Sequence, residues 1–222
     1  MRQLLAAAET TNLFVPTLIW LATGLRRGEL LGLEWRDLER EQYRLAIVRS
    51  LEETRAGLVL KAPKTTLSSR VITLPILVVD ALHVHEVQMK ALRLRRGPAL
   101  VDQGLIFPRR NGGPQRPRAV TKAFTALIRR AKVANVSIHR LRHTHVTNLL
   151  RAGLHPKVVL ERAGHASVAF TLQRYARATR HAARCGRPDA KTCRAPCKAL
   201  TRPAACGANW VPICIFSTAA LI

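Results

Sequence analysis

The segment YRLAIVRSLEETRAGLVLKAPKTTLSSRVITLP, residues 43–75, contains three short runs that are rich in residues favouring β-strands. The runs are YRLAIVRS (43–50), LVLKAP (58–63) and RVITLP (70–75), and the polar links ETRAG and KTTLSS separate them. Links this short connect neighbouring antiparallel strands, whereas parallel strands need a longer crossover. The segment therefore predicts a small three-stranded antiparallel sheet.

On both sides of this segment, apolar residues recur with the spacing of α-helices. Residues 1–40 predict helices, including a mostly apolar one over residues 14–25 and a helical piece that ends near Trp35. After the sheet, Pro75 begins a long helix through about Arg96. Four more helices follow a loop rich in Gly and Pro, over residues 118–133, 138–152, 156–163 and 168–178. The predicted fold class is α+β, mainly helical, with a small three-stranded antiparallel sheet.

The chain is strongly basic. Its 222 residues carry a formal net charge of +24, and 48% of them are hydrophobic, which is enough for one sizeable core. A charge of this sign and size indicates a polyanionic partner, of which nucleic acid is the commonest. We find no signal peptide pattern and no apolar run of about 18 residues. We therefore expect a soluble, cytoplasmic protein with no membrane partner.

The composition changes abruptly after residue 178. The five cysteines are Cys185, Cys193, Cys197, Cys206 and Cys214, and all of them fall in this segment. Structural disulfides would be expected within the folded domain, so the positions of these cysteines argue against a disulfide framework. Cys193 and Cys197 have no second cysteine or histidine pair at zinc-site spacing, which argues against a zinc site. We predict one domain over residues 1–178, followed by an atypical basic tail rich in Cys and Pro over residues 179–222. This tail is expected to be disordered or to derive from a frameshift.

Residues 23–37, TGLRRGELLGLEWRD, place a basic residue directly after a glycine turn. The turn puts Arg26 at the start of a helix, where a guanidinium and the backbone N–H groups bind a phosphate together. Glu29 lies three residues further and is positioned to orient Arg26 by an ion pair. The alternative interpretation of this motif is an amphipathic helix with two solvated arginines.

Residues 138–145, IHRLRHTH, place His139 and Arg142 on one helical face, as a phosphate-binding pair requires. His139 and His143 also have the spacing of the two histidines in HExxH zinc proteins. The glutamate of that motif is missing, however, because Arg140 occupies its position. The phosphate-binding interpretation is therefore favoured over a metal site.

Two further motifs contain single residues with reactive side chains. In ERAGHASVAFTLQRY, residues 161–175, His165 follows a glycine at a helix junction and Tyr175 lies on the next helix among basic residues. In KAPKTTLSSRVITLP, residues 61–75, Lys64 lies in a polar turn between two predicted strands, from which it could reach a DNA groove. A lone tyrosine is more often a half-buried structural residue, and a lysine in such a turn is more often only solvated.

Taken together and in this order, the four motifs resemble those of the tyrosine recombinase (phage integrase) family. The resemblance covers about residues 1–178 and implies the catalytic domain, with the DNA breaking-rejoining fold. Seven positions match the residues of the family's active site: Arg26, Glu29, Lys64, His139, Arg142, His165 and Tyr175. The resemblance therefore implies a site-specific recombinase or integrase, with Glu29 in a supporting role.

The family chemistry implies that Tyr175 attacks a DNA phosphorus and forms a 3′-phosphotyrosyl intermediate. Arg26 and Arg142 then hold the non-bridging oxygens, and His165 is a further donor to the charge that develops there. A phenol is mostly protonated near neutral pH, so the attack needs a proton acceptor. His139 is the candidate base.

The leaving 5′-oxygen needs a proton, for which the resemblance implies Lys64. No metal and no cofactor are expected, because the covalent intermediate conserves the energy of the phosphodiester. The expected partners are double-stranded DNA and other copies of the chain, as a tetramer on DNA, with no small-molecule substrate. A bacterial or phage-encoded protein of the nucleoid, belonging to a mobile element, is implied.

Three alternatives remain open at this point. Residues 138–165 are also compatible with a helix-turn-helix, which predicts a DNA-binding fragment without catalysis. Type IB topoisomerases use a similar set of Arg, Lys, His and Tyr to relax supercoils. A truncated and weakly active recombinase is the third, because relatives carry a further DNA-binding domain before the catalytic one.

Overall fold

The computed structural model describes residues 1–62, 69–97 and 102–164. Seven α-helices lie in these ranges: α1 (Arg2–Glu9), α2 (Phe14–Thr23), α3 (Arg27–Leu31), α4 (Ile76–Arg96), α5 (Pro117–Arg130), α6 (Ile138–Arg151) and α7 (Pro156–Ala163). A short 3-10 turn follows α3 at Trp35–Asp37. The predicted helices over residues 118–133, 138–152 and 156–163 are confirmed to within a few residues, whereas the one over residues 168–178 lies outside the described residues.

Five short strands lie between α3 and α4: β1 (Leu38–Glu39), β2 (Arg44–Ile47), β3 (Ser50–Thr54), β4 (Gly57–Lys61) and β5 (Arg70–Thr73). β1, β2 and β5 form a three-stranded antiparallel sheet with β2 in the middle, where Leu45 pairs with Ile72. β3 and β4 form a separate two-stranded antiparallel sheet. The fold class predicted from the sequence, mainly helical with a small three-stranded antiparallel sheet, is confirmed.

The membership of the three-stranded sheet differs from the prediction. The predicted strand over residues 58–63 pairs with β3 in the separate hairpin, and β1, which was expected to be helical, is the third strand. The predicted strand over residues 43–50 breaks after Ile47. Arg49 lies at this break, and its largely buried guanidinium binds the carboxylates of Glu34 and Asp37 at 2.9 and 2.7 Å. These ion pairs hold the chain where it passes from one sheet into the other.

The largest apolar cluster is built around α2, which packs against α1, α4 and α6. Trp20 of α2 is fully buried and meets Phe124 of α5 edge to face, with the ring centroids 5.4 Å apart. A second apolar cluster joins α6 to α7 through Val146, Leu149 and Val159. Burial of these side chains fixes α6 between α2 and α7, so the C-terminal ends of α2 and α7 meet beside α6.

Two glycines end the helices that meet there. Gly24 after α2 and Gly164 after α7 both adopt left-handed backbone conformations, with φ of 64° and 66°. This conformation costs a glycine little, and it stops a helix abruptly. None of the helices in the described ranges is both long and apolar enough to cross a lipid bilayer.

Candidate active site

Arg26 occupies the position that the sequence predicts, at the start of a helix after a glycine turn. It is the N-terminal cap of α3 and follows Gly24 by two residues. The turn packs tightly, because a Cβ atom added at Gly24 would lie 2.9 Å from the His145 ring. The turn therefore needs glycine both for its conformation and for its contact with α6.

The predicted ion pair between Arg26 and Glu29 is present. The Glu29 carboxylate accepts a hydrogen bond from the Arg26 backbone N–H at 2.8 Å and another from its guanidinium at 2.7 Å. Burial raises the pKa of Glu29, but the hydrogen bond and charge of Arg70, followed by those of Arg26, outweigh it and lower the pKa to about 2. Glu29 is thus a fixed anion between two guanidinium groups.

Arg142 lies on the buried side of α6 and is only 5% exposed. Its guanidinium donates hydrogen bonds to the carbonyl oxygen of Gly24, at 2.7 Å, and to that of Ala163. These two carbonyl groups belong to the C-terminal ends of α2 and α7, where helix dipoles favour a cation. Arg142 therefore joins the turn before Arg26 to the end of α7.

The two arginines converge on adjacent backbone groups. The Arg26 guanidinium donates to the carbonyl oxygen of Gly164 at 2.6 Å, and Arg142 binds the preceding carbonyl, that of Ala163. Arg26 and Arg142 come from distant parts of the chain, so only the tertiary fold brings them together. Positive charge is concentrated at the end of α7 as a result.

His139 lies one helical turn before Arg142, on the exposed part of α6. Within the described part of the chain, its ring pairs with His143 rather than with either arginine. The two Nε2 atoms are 2.7 Å apart and the rings are perpendicular. Since a hydrogen bond needs one donor and one acceptor, one of these nitrogens carries the shared proton.

The other three predicted site residues lie outside the described residues. They are Lys64, His165 and Tyr175. The described chain reaches Gly164, so the arginine contacts at the end of α7 lie next to His165 in the sequence. The assignment of roles to these three residues stays a prediction.

Three residues at this site carry no role in the sequence analysis: Arg70, His145 and Arg162. Arg70 begins β5 and donates to both carboxylate oxygens of Glu29, at 3.2 and 3.0 Å. The Arg162 guanidinium donates to the carbonyl oxygen of Thr73 at 2.9 Å. Arg70 lies within the motif of residues 61–75, which is the only indication of its role in the sequence. Spacing along the chain could not identify Glu29, 41 positions away, as its partner.

His145 faces the interior from α6, beneath the Gly24 turn. Its Nδ1 atom is 3.1 Å from the carbonyl oxygen of Leu21, so this nitrogen carries the hydrogen that is shared. Burial lowers the pKa of His145, as do the charges of Arg162 and Arg142, and despite the Leu21 hydrogen bond the pKa falls to about 4. The imidazole is therefore neutral near pH 7 and adds no charge to the cluster.

Comparisons with known proteins agree with this geometry. The chain is 28% identical over 170 residues to a XerC-like tyrosine recombinase of Caldanaerobacter subterraneus, covering 71% of the chain and 44% of that relative. It is 30% identical over 173 residues to the transposase of transposon Tn916 from Enterococcus faecalis, covering 73% and 41%. The chain thus spans less than half the length of these curated relatives.

Among solved structures, the Tn1549 transposon integrase in complex with transposon right end DNA has the same fold. The TM-score is 0.68 at 25% identity, and the match covers 83% of this chain and 61% of that one. The family model described as the phage integrase family matches residues 1–181. With four fifths of its residues matched and its arginines gathered at one helix end, the chain belongs to the phage integrase family.

Proposed function

We propose that this protein is a site-specific recombinase that cuts and rejoins DNA through a covalent bond to Tyr175. The observation that carries the proposal is the convergence of Arg26 and Arg142 on the adjacent carbonyl groups of Ala163 and Gly164. A buried framework that gathers cations at one point suits a phosphodiester, whose charge spreads over its oxygens during displacement. Family membership supports the same chemistry.

The two arginines have different tasks in this proposal. The Arg26 side chain is 45% exposed, so part of its guanidinium faces solvent, where a DNA phosphate approaches. Arg142 is buried and held by two carbonyl groups, and it supplies positive charge to the phosphate from the protein interior. Both groups are oriented before DNA arrives, which avoids reorganisation during the reaction.

The covalent step exchanges one oxygen bonded to phosphorus for another. The Tyr175 oxygen forms a bond to phosphorus, and the bond from phosphorus to the 5′-oxygen breaks. The phenolic proton goes to His139, and Lys64 gives a proton to the leaving oxygen, while His165 donates a hydrogen bond to the phosphoryl oxygens. Rejoining reverses each transfer, so no step calls for a metal or a nucleotide cofactor.

Double-stranded DNA is the proposed substrate, and a tetramer on DNA is the proposed assembly. The net charge of +24 supports a polyanionic partner, and the similar Tn1549 integrase was solved in complex with DNA. We assign this activity to residues 1–178, as the match over residues 1–181 supports. Residues 179–222 form the basic tail in this proposal, and the protein acts in the cytoplasm, on the nucleoid.

A trapping experiment tests the proposal. The protein is incubated with a library of nicked duplexes of random sequence, in which strand loss after cleavage prevents rejoining. We expect an adduct that survives denaturing detergent with the natural chain and none with Tyr175→Phe, because phenylalanine has no attacking oxygen. DNA affinity, measured by fluorescence anisotropy, should change less than about twofold, since a single hydroxyl contributes little to phosphate-dominated binding.

The matched control is Tyr43→Phe, which alters the chain's second tyrosine, an exposed residue before β2. This variant should form the adduct at the natural rate. An adduct with Tyr175→Phe would refute the assignment of the nucleophile. Salt-sensitive binding without any adduct would favour a DNA-binding module, and relaxation of supercoiled plasmid would favour a topoisomerase.

A further inference from the structure

The C-terminal end of α7 is held by three guanidinium groups rather than two. Successive carbonyl oxygens accept one hydrogen bond each: that of Arg162 from Arg70 at 2.8 Å, that of Ala163 from Arg142, and that of Gly164 from Arg26 at 2.6 Å. A helix C-terminus carries partial negative charge and unpaired carbonyl groups, so all three contacts are favourable. Two of these arginines are site residues and the third is Arg70.

Arg70 is connected to Arg26 through Glu29. Two nitrogens of the Arg70 guanidinium donate to the two oxygens of Glu29, and the same carboxylate accepts from the Arg26 guanidinium and backbone. A planar fork of this kind fixes the angle of a carboxylate as well as its position. The orientation of Arg26 therefore depends indirectly on Arg70, because both guanidinium groups bind the Glu29 carboxylate.

Arg70 is also anchored to the three-stranded sheet. It is the first residue of β5, where it pairs with Ile47 of β2. Arg70 of β5 donates to the carbonyl oxygen of Arg162 in α7, and Arg162 in turn donates to the carbonyl oxygen of Thr73 in β5. The sheet and α7 are thus joined by two reciprocal contacts, with Arg70 at the end next to the site.

The residue that packs against the Arg70 guanidinium is a glycine, and a side chain there would displace the guanidinium. A Cβ atom added at Gly164 would lie 2.5 Å from Nη1 of Arg70 and 2.8 Å from its Cζ. Gly164 also has a φ of 66°, a conformation that side chains disfavour. The chain leaves α7 directly over the Arg70 guanidinium, and residue 165 follows at once.

From these contacts we infer that Arg70 is a positioning residue for strand cleavage: it orients Arg26 through Glu29 and fixes the end of α7 from which His165 follows. The inference rests on the proposed function, since the reaction it serves is the one proposed above. The Arg70 side chain is 7% exposed and its guanidinium is bound to Glu29 and to the carbonyl oxygen of Arg162, so we expect it to act from beneath the site without a DNA contact. Its effect falls on the rate of cleavage rather than on DNA affinity.

The test compares Arg70→Gln and Arg70→Lys with Arg44→Gln in the full chain. Arg44 is an exposed arginine of the neighbouring strand β2 and binds Gln42 rather than Glu29, so its loss removes one charge from the same sheet. The readouts are the single-turnover rate of adduct formation at saturating DNA, the DNA dissociation constant and the thermal unfolding midpoint. Trapped duplexes from the library serve as the substrate.

We expect Arg70→Gln to slow adduct formation by about 10- to 100-fold, as small displacements of reacting groups do. The dissociation constant should change no more than it does for Arg44→Gln. Arg70→Lys should recover part of the rate, because an ammonium keeps the ion pair with Glu29 but lacks the planar fork. A rate equal to that of the natural chain in both Arg70 variants, or a loss that only follows affinity, would overturn the inference.

A double variant separates positioning from general damage to the fold. Because one of the two routes runs through Glu29, Glu29→Gln together with Arg70→Gln should slow the reaction by less than the product of the two single losses. Multiplied losses would show that the two residues act independently and would contradict the inference.

Amide hydrogen exchange makes the test independent of activity. Arg70→Gln should speed exchange at the end of α7, residues 160–164, by at least about tenfold relative to Arg44→Gln, because local opening becomes easier. If the natural chain forms no adduct, the proposed function fails, and the exchange rates still decide whether Arg70 holds α7. Equal exchange rates in the two variants would show that Arg70 does not stabilise the end of α7.

Discussion

The two sides of α6 carry the same kinds of side chain in different surroundings. On the buried side, Arg142 and His145 each bond to backbone carbonyl groups of other elements. On the exposed side, His139 and His143 meet each other's rings. The difference suggests a division of labour, in which buried groups fix the shape of the site before DNA binds. In the proposed reaction His139, on the exposed side, takes the phenolic proton, and for that it needs access to the reacting atoms.

Loss of Arg142 should have the largest effect, because it removes both charge and framework. Arg142→Gln should lower the rate of adduct formation by about 10²- to 10³-fold, because the charge that develops on the phosphoryl group loses a fixed positive charge beside it. It should also destabilise the fold by about 2 kcal/mol, because the carbonyl groups of Gly24 and Ala163 lose a charged donor. Single-turnover trapping and urea unfolding measure the two effects.

The matched control is Arg140→Gln on the same helix. Arg140 is exposed and donates to the carbonyl oxygen of Asn135, so its loss should leave both quantities close to those of the natural chain. If Arg142→Gln reacts at the natural rate, the two sides of α6 do not differ in the way proposed.

Loss of His139 should separate catalysis from stability. His139→Gln should slow adduct formation by about 100-fold, the lower range for a general base, while the unfolding free energy stays within about 0.5 kcal/mol. The small change in stability follows from the exposure of the ring. His83→Gln, which alters an exposed histidine of α4, is the control. A large loss of stability in His139→Gln would instead make it part of the framework.

Local contacts and contacts between distant elements differ in how far the sequence predicts them. Features set by neighbouring residues were predictable: the helix start at Arg26 follows from the Gly24 turn, and the pairing with Glu29 follows from a spacing of three. The position of His139 one turn before Arg142 is equally local. Residues three positions apart lie on one face of a helix, so contacts between them can be predicted from the sequence.

Contacts between distant elements were not predictable in the same way. Arg142 reaches Gly24 across 118 positions, and Arg70 reaches Glu29 across 41. Both depend on how α2, α7 and β5 pack, which spacing within one element does not specify. The predicted pairing of residues 58–63 was wrong for a related reason. Alternating hydrophobicity predicts that these residues form a strand, but it does not specify which strand lies beside them. The long-range contacts of the buried framework are therefore the part of the site that needed a structure.

The smallest of the expected effects concerns His145 and the dependence of stability on pH. Its pKa is about 4 in the folded chain, below the ordinary 6.5, because burial and then the charge of Arg162 disfavour the imidazolium form. A depressed pKa means that stability is fully present above pH 6.5 and falls as the pH drops towards 4. By pH 5 the loss due to His145 should be about 2 kcal/mol.

His145→Asn isolates this contribution, because an amide can donate to the Leu21 carbonyl but does not titrate between pH 4 and 8. Urea unfolding at pH 7.5 and pH 5 should show a loss smaller by about 2 kcal/mol in the variant than in the natural chain. Some loss remains, because burial also lowers the pKa of His85, which has the same sign and the same pH range. Glu29 contributes chiefly below pH 4.5, down to its pKa of about 2. An equal loss in the two proteins would mean that His145 is protonated in the fold, and the buried side of α6 would then carry an additional charge beside Arg142.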